Sequence, residues 1–287
     1  VCADDFPEMT GNARADGGEM SIQTKLQSVT LPAGGETMRC RQDAVNQGGL
    51  LMVYTWLKSI QTRLFPPQCR LCLAPGCRDL ELCGGCMADL PWLPAGCPRC
   101  ALPLAPEAAA DGICPSCRDA PPVLDRCFAL FSYQPPVDQW IQALKFGRDL
   151  AAGRLLGQLL TAHVPARPDS NVRLLPVPLH PGRLRQRGYN QSREIARPLL
   201  RNGWQACRAD CRRTRHTEAQ SALPAGRRRQ NMRGAFSVRT DLSGIHIVLV
   251  DDVMTTGATL NELALALKAA GAARVDAWVT ARTLKPG

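Results

Sequence analysis

Eight of the 14 cysteines stand in four C-x2-C pairs: Cys69/Cys72, Cys83/Cys86, Cys97/Cys100 and Cys114/Cys117. Stretches of 10, 10 and 13 residues separate them. A C-x2-C turn presents two thiolates as one edge of a tetrahedron, and a second turn supplies the opposite edge. Four pairs make eight ligands, enough for two closed structural sites holding about two Zn2+ ions. Sequential pairing is simplest: Cys69, Cys72, Cys83 and Cys86 around one ion, and Cys97, Cys100, Cys114 and Cys117 around the other. A crossed arrangement satisfies the same spacing. Iron–sulfur ligation and redox dithiols also use such cysteines, but paired knuckles favour zinc. The segment 69–117 is rich in Pro and Gly and weakly periodic, so it needs a staple to hold a shape. Cys77 lies inside the first knuckle, out of ligand register. Cys207 and Cys211, four apart, are spaced to share a helix face.

Metal-spaced rather than disulfide-spaced cysteines imply a reducing compartment. No apolar run approaches the roughly 20 residues that span a bilayer. Leu50–Leu57 is short, is followed by Lys58 and lacks the flanks of a signal peptide. A cytoplasmic protein without membrane insertion is expected. The formal charge is +10, unevenly spread. From Arg173 to Arg239 there are 16 Arg and no Lys, against Glu194, Asp210 and Glu218, a local charge of +13. Arginine favours planar, bidentate contact with phosphate. Arg-rich codon usage would give the same count.

The chain divides into three parts. Residues 1–51 show no sustained periodicity and read as a disordered or non-native extension, with Met52 near the native start. Residues 52–120 combine an amphipathic stretch, Val53–Phe65, with the cysteine pairs. Residues 121–287 read as an α/β domain. Strands are expected at Phe128–Tyr133, Val172–Val177, Ile245–Val250 and Val275–Ala281. Helices are expected at Val137–Phe146, Leu150–His163, Gln191–Asn202 and Ala258–Ala270, with Pro198 kinking the third or ending it early. Arg212–Arg233 reads as a mobile basic loop. The β-loop-α-β order at the C-terminus predicts a parallel sheet with helices on both faces.

The segment from Val248 to Thr259 carries the sharpest chemistry. An apolar strand delivers Asp251 and Asp252 to the carboxyl edge of the sheet, where open α/β sheets bind ligands. Val253, Met254, Thr255, Thr256, Gly257, Ala258 and Thr259 follow and open a helix. The helix start offers free N–H groups and positive dipole character to a phosphate. Gly257 lets the backbone approach closely, and the threonines add hydroxyls. A merely capped helix start is the plainer reading of the same residues.

This segment resembles the phosphoribosyl pyrophosphate (PRPP) loop of type I phosphoribosyltransferases. The resemblance implies that Asp251 and Asp252 hold ribose hydroxyls while 253–259 cradle the 5′-phosphate, with Mg2+ bound alongside PRPP. Further segments resemble the ComF/GntX family, in which a double zinc ribbon precedes such a domain. They are Leu144-Lys145-Phe146, Pro176-Val-Pro178 with Arg183 and Arg187-Gly-Tyr-Asn-Gln191, and Arg213-Thr-Arg215 through Arg228 to Gly234-Ala-Phe236. The match runs from about Pro67 to Leu284. It implies that Arg183 and Arg187 contact pyrophosphate and that Arg213, Arg215 and Arg228 belong to a closing loop. Tyr189, Asn190 and Gln191 also suit a helix start. Phosphoribosyl transfer needs positioning and charge stabilisation more than a nucleophile, which agrees with a chain having four His and no obvious triad. The resemblance also implies DNA uptake or use of external DNA, with single-stranded DNA and DNA-uptake helicase machinery as partners. The competing function is a non-catalytic competence factor that binds single strands through the Arg-rich loop and zinc ribbons. A third is a scaffold whose zinc module docks a partner.

Overall fold

The computed structural model describes residues 67–77, 79–104, 112–164, 170–214 and 234–284. The expectations for 1–51 and for the Val53–Phe65 helix lie outside these residues. Gln68–Gly287 forms one compact unit.

Four strands build a parallel sheet in the order β1-β6-β5-β2. They are β1 (Arg126–Ser132), β2 (Val172–Pro176), β5 (His246–Met254) and β6 (Arg274–Arg282). Both central strands are buried along nearly their whole length, as a parallel sheet covered on both faces requires. Alternation assigns the faces. Val248 and Val250 of β5 point into one cluster, Ile247 and Leu249 into the other.

Three helices cover the first face: α3 (Val137–Phe146), α4 (Leu150–His163) and α6 (Gln191–Arg201). Ile141, Leu144, Leu155, Leu159, Ile195 and Leu199 bury there at helical spacing. Each such side chain contributes about 1.5–3 kcal/mol of burial. The second face carries α7 (Ala258–Ala269), through Leu260, Leu263, Ala264 and Leu267, and a two-stranded antiparallel ribbon of β3 (Cys211–Arg213) and β4 (Phe236–Val238). A short helix, α5 (Pro181–Arg187), links β2 to α6.

The cysteine knuckles flank this sheet. The four cysteines 69–86 adjoin the short helix α1 (Gly84–Ala88), and those at 97–117 adjoin α2 (Pro115–Asp119). Cys69, Leu82 and Leu90 join the cluster on the first face; Cys97, Cys100, Cys114 and Cys117 join that on the second. The chain between them runs along the outer edge of β1. Trp92 bridges Phe131, Leu93 N–H donates to Leu130 O at 3.0 Å, and Cys127 N–H donates to Pro98 O at 2.8 Å. The unpaired edge of the sheet is thereby covered.

Three expectations change. Arg212 and Arg213 belong to strand β3 rather than a loop, because they pair with Ser237 and Phe236; residues 215–233 lie outside the described set. The same pairing places Cys211 on a strand, so it shares no helix face with Cys207. Helix α6 runs as expected from Gln191 to Arg201, so of the two effects expected of Pro198 an early end is overturned. The proline sits where α4 crosses α6: a Cβ at Gly157 would lie 2.3 Å from Ile195 O and 2.9 Å from the Pro198 ring. Tertiary packing outweighs the local preference there.

Candidate functional site

Strand β5 outruns its neighbour. Its pairing with β2 stops at Pro176–Val250, whereas its pairing with β6 continues to Met254–Arg282. Past Pro176 the chain turns away into α5, and the gap opens beside Asp251 and Asp252. A cavity of about 600 Å³ fills it. The strand extends four residues beyond the expected end at Val250, so the loop proper is only Thr255–Gly257.

Both carboxylates are nearly buried and held. Ser192 Oγ donates to Asp251 Oδ1 at 2.7 Å, and Asp252 N–H donates to the same oxygen at 3.0 Å. Burial first, then the adjacent Asp252 charge, push the Asp251 carboxyl up to about 7. Asp252 Oδ1 accepts from Val253 N–H at 2.7 Å. Lys145 Nζ stands 2.8 Å from Asp252 Oδ2. That approach is out of line for a hydrogen bond, so the oxygen has a charge partner but no aligned donor. Such an atom, on a residue that is 3% exposed and lines the cavity, is suited to accept a ligand hydroxyl.

Cations line the same cavity. Arg183 and Arg187 share one face of α5 at i, i+4 spacing. Arg187 donates to Gln191 Oε1 at 2.6 Å and lies over Phe146, 5.6 Å from the ring centroid. Arg213, nearly buried, lies 5.7 Å from the Phe236 centroid. Burial and then the Arg183 charge push the Arg213 guanidinium down to about 10. Arg183 is lowered by burial and by Arg187. Like charges held this close are relieved by an anion between them.

The structure brings Asp251, Asp252, Val253, Thr255, Thr259, Arg183, Arg187 and Arg213 to the same cavity. Met254, Thr256 and Ala258 line a smaller cavity of about 360 Å³ on the far side of the loop. Gly257, at φ 75°, is the turn between them, and a Cβ there would meet Met254 Cε at 2.5 Å. Arg215 and Arg228 lie outside the described residues.

The segment 187–192 links the site together. Gly188, at φ 86°, ends α5. Tyr189 Oη donates to Leu144 O, anchoring the turn that carries Lys145. Asn190 caps α6 by accepting from Ser192 N–H at 3.0 Å, and its amide donates to Val177 O at 2.9 Å. Sequence reasoning gave these residues a helix-start role but missed Ser192, whose only signal is its place just inside that start. Lys145 stands in the Leu144-Lys145-Phe146 segment, which carries no local signal that its amine would meet Asp252.

The eight paired cysteines fall into two groups, Cys69/Cys72/Cys83/Cys86 and Cys97/Cys100/Cys114/Cys117, each with Sγ atoms within 4.8 Å of one another. Sequential pairing is therefore correct. Four convergent thiols, with no other donor in either group among the described residues, fit tetrahedral Zn2+.

This fold and site define a phosphoribosyltransferase-type domain joined to a double zinc ribbon. A family model described as a double zinc ribbon domain matches residues 60–125, and one described as a phosphoribosyl transferase domain matches residues 192–286. The chain belongs to the ComF/GntX family. It is 36% identical over 224 residues to the DNA utilization protein YhgH of Escherichia coli, covering 75% of this chain and 96% of that protein. The YhgH of Salmonella typhimurium is 34% identical over 228 residues, 76% of this chain and 98% of its own. Competence protein F of Haemophilus influenzae is 32% identical over 212 residues, 70% of this chain and 90% of its own. Among the described residues, no helix is long and apolar enough to cross a membrane.

Proposed function

We propose that the cleft beside β5 binds PRPP, as its Mg2+ complex, and supports phosphoribosyl transfer. The observation that carries the reading is that two buried carboxylates and the arginines Arg183, Arg187 and Arg213 line one cavity. Asp251 and Asp252 accept the ribose hydroxyls. Thr255, Thr259 and the first N–H groups of α7 receive the 5′-phosphate. Arg183, Arg187 and Arg213 face the pyrophosphate. Mg2+ takes hard oxygen ligands, which the diphosphate itself supplies, so a dedicated protein cage is not required. When bound it would neutralise charge on the leaving pyrophosphate. The arginines add to that stabilisation as the anomeric bond breaks. Lys145 stands beside Asp252 as its charge partner before the ligand arrives.

A second reading is favoured by the same arginines. The relatives are named for DNA utilization and competence, and Phe146, 77% exposed at the cavity rim beneath Arg187, offers a stacking face. On this reading the cleft holds single-stranded DNA without catalysis in the cytoplasm.

Calorimetric titration with PRPP and with a short single strand, each with and without Mg2+, separates them. PRPP binding that requires Mg2+ and is lost in an Asp251→Ala/Asp252→Ala variant supports the first. Saturable binding of the strand alone, indifferent to those substitutions, replaces it with the second.

A further inference from the structure

Arg282 is the last residue of β6 and is 6% exposed. A cation in that position needs both hydrogen-bond partners and a counter-charge. Its hydrogen bonds go to carbonyls on two different structures. Nε donates to Cys100 O, in the second cysteine group, at 2.9 Å. Nη1 reaches Met254 O at 2.9 Å, Thr283 O at 3.0 Å, and Thr255 O. One planar guanidinium thus spans the knuckle of the second zinc site and the first residues of the phosphate loop.

No carboxylate pairs with Arg282 among the described residues. The groups that act on its charge are cysteines: Cys100 and Cys117 of the second group, with Cys127 beside them. Four thiolates around one Zn2+ carry a net double negative charge, and this group is buried on all four cysteines. The first group offers the contrast: Cys72 is exposed, and Arg70 nearby is paired to Glu81 and Asp149.

We propose that Arg282 is a positioning residue that couples the second zinc site to the phosphate loop: it is the counter-charge of the four-thiolate centre and the clamp that fixes Met254 and Thr255. Two properties of arginine are used separately. The positive charge favours retention of the metal centre. The fork of donors, which lysine lacks, lets Nε hold Cys100 O while Nη1 holds the loop carbonyls Met254 O and Thr255 O. Loss of zinc from the second site therefore loosens the loop, while loss from the first does not. The consequence for ligand affinity rests on the phosphate-loop reading above, but loop order can be measured without a ligand.

The experiment compares wild type, Arg282→Lys and Arg282→Gln in the full chain. It reads zinc release to a colorimetric chelator and hydrogen exchange of a peptide covering 254–260. Arg282→Gln should speed release of one of the two ions and raise exchange of that peptide, each by about tenfold. Arg282→Lys should retain zinc nearly as wild type does, yet leave the loop exchanging fast. Wild-type loop exchange in Arg282→Gln overturns the proposal. So does a lysine variant that restores loop protection along with zinc, since the fork would then be irrelevant. If the glutamine variant does not fold, wild type is stripped of zinc in steps. Loop protection must fall with loss of the second ion, and protection that persists overturns the coupling. Failure of wild type to bind PRPP would sink the reading of the cleft and leave these measurements standing.

Discussion

Asp251 is the residue on which the reading of the cleft turns. Its carboxyl is raised to about 7 by burial and by Asp252, far above the ordinary value near 4. A raised acid contributes stability at low pH that is lost as pH rises through its folded value. The ligand-free protein should therefore lose stability between about pH 4 and 7. Asp251→Asn, which cannot ionise, should flatten that dependence and raise the melting temperature at pH 8; urea titrations across pH check it. Ligand binding has the opposite sign. Ribose hydroxyls need an ionised acceptor, so PRPP affinity should rise from pH 6 to pH 8 and then level off, as followed by calorimetry. Replacing both acids by Ala removes charge-assisted hydrogen bonds worth about 1.5–3 kcal/mol each, so affinity should fall on the order of a hundredfold or more. Stability should hold, because the repulsion between the acids goes too. Helix capping alone predicts the reverse pattern: a lower melting temperature and no specific effect on ligand.

At the scale of elements, the crossing of α4 and α6 holds the site from behind. Gly157 lets the two helices meet at the Ile195 carbonyl and the Pro198 ring. Gly157→Ala forces them apart, and overpacking of this kind costs about 1–3 kcal/mol. The melt should drop by several degrees, and PRPP affinity should weaken as well, since α6 also carries Ser192 to Asp251. Gly85→Ala, which meets nothing within 4 Å, is the control and should leave both unchanged. Helices α3 and α4 were legible in the sequence because their apolar residues recur every three to four positions. Strand β5 was legible only to Val250. Its last four residues include two acids and break the apolar run, and it is pairing with β6, not composition, that keeps them extended.

For the whole molecule, metal analysis should find two zinc ions per chain; a value near one would remove one cysteine group as a site. The two groups should not be equivalent. Cys97 lies in the cluster with β1, β5, β6 and α7, so Cys97→Ser should lower the melting temperature strongly. Cys72 is exposed, so Cys72→Ser should lose one ion at a smaller cost. If single strands bind the cleft, the five cations that line it among the described residues contribute to the salt dependence. Those five alone correspond to a slope of log affinity against log salt of about −3 to −4. A slope near zero removes the backbone-contact reading.

Local chemistry alone determined much of this protein. Thiolate spacing specified two four-cysteine sites, and periodicity specified the parallel sheet and its main helices. The Asp-Asp and Thr-Gly run pointed to the edge of the sheet where the cavity opens. These features depend on residues close together in the chain, so a one-dimensional pattern carries them. What brings distant segments together was decided only by the tertiary structure. The sequence reads the cysteine module and the α/β domain as successive parts, yet the knuckles take opposite faces of one sheet and complete its core. Lys145 meets Asp252, Ser192 meets Asp251, and Arg282 joins Cys100 to Thr255 across 182 and 27 residues. No local period marks such pairs. Each exists because a buried polar group must find its partner wherever the packed core places one.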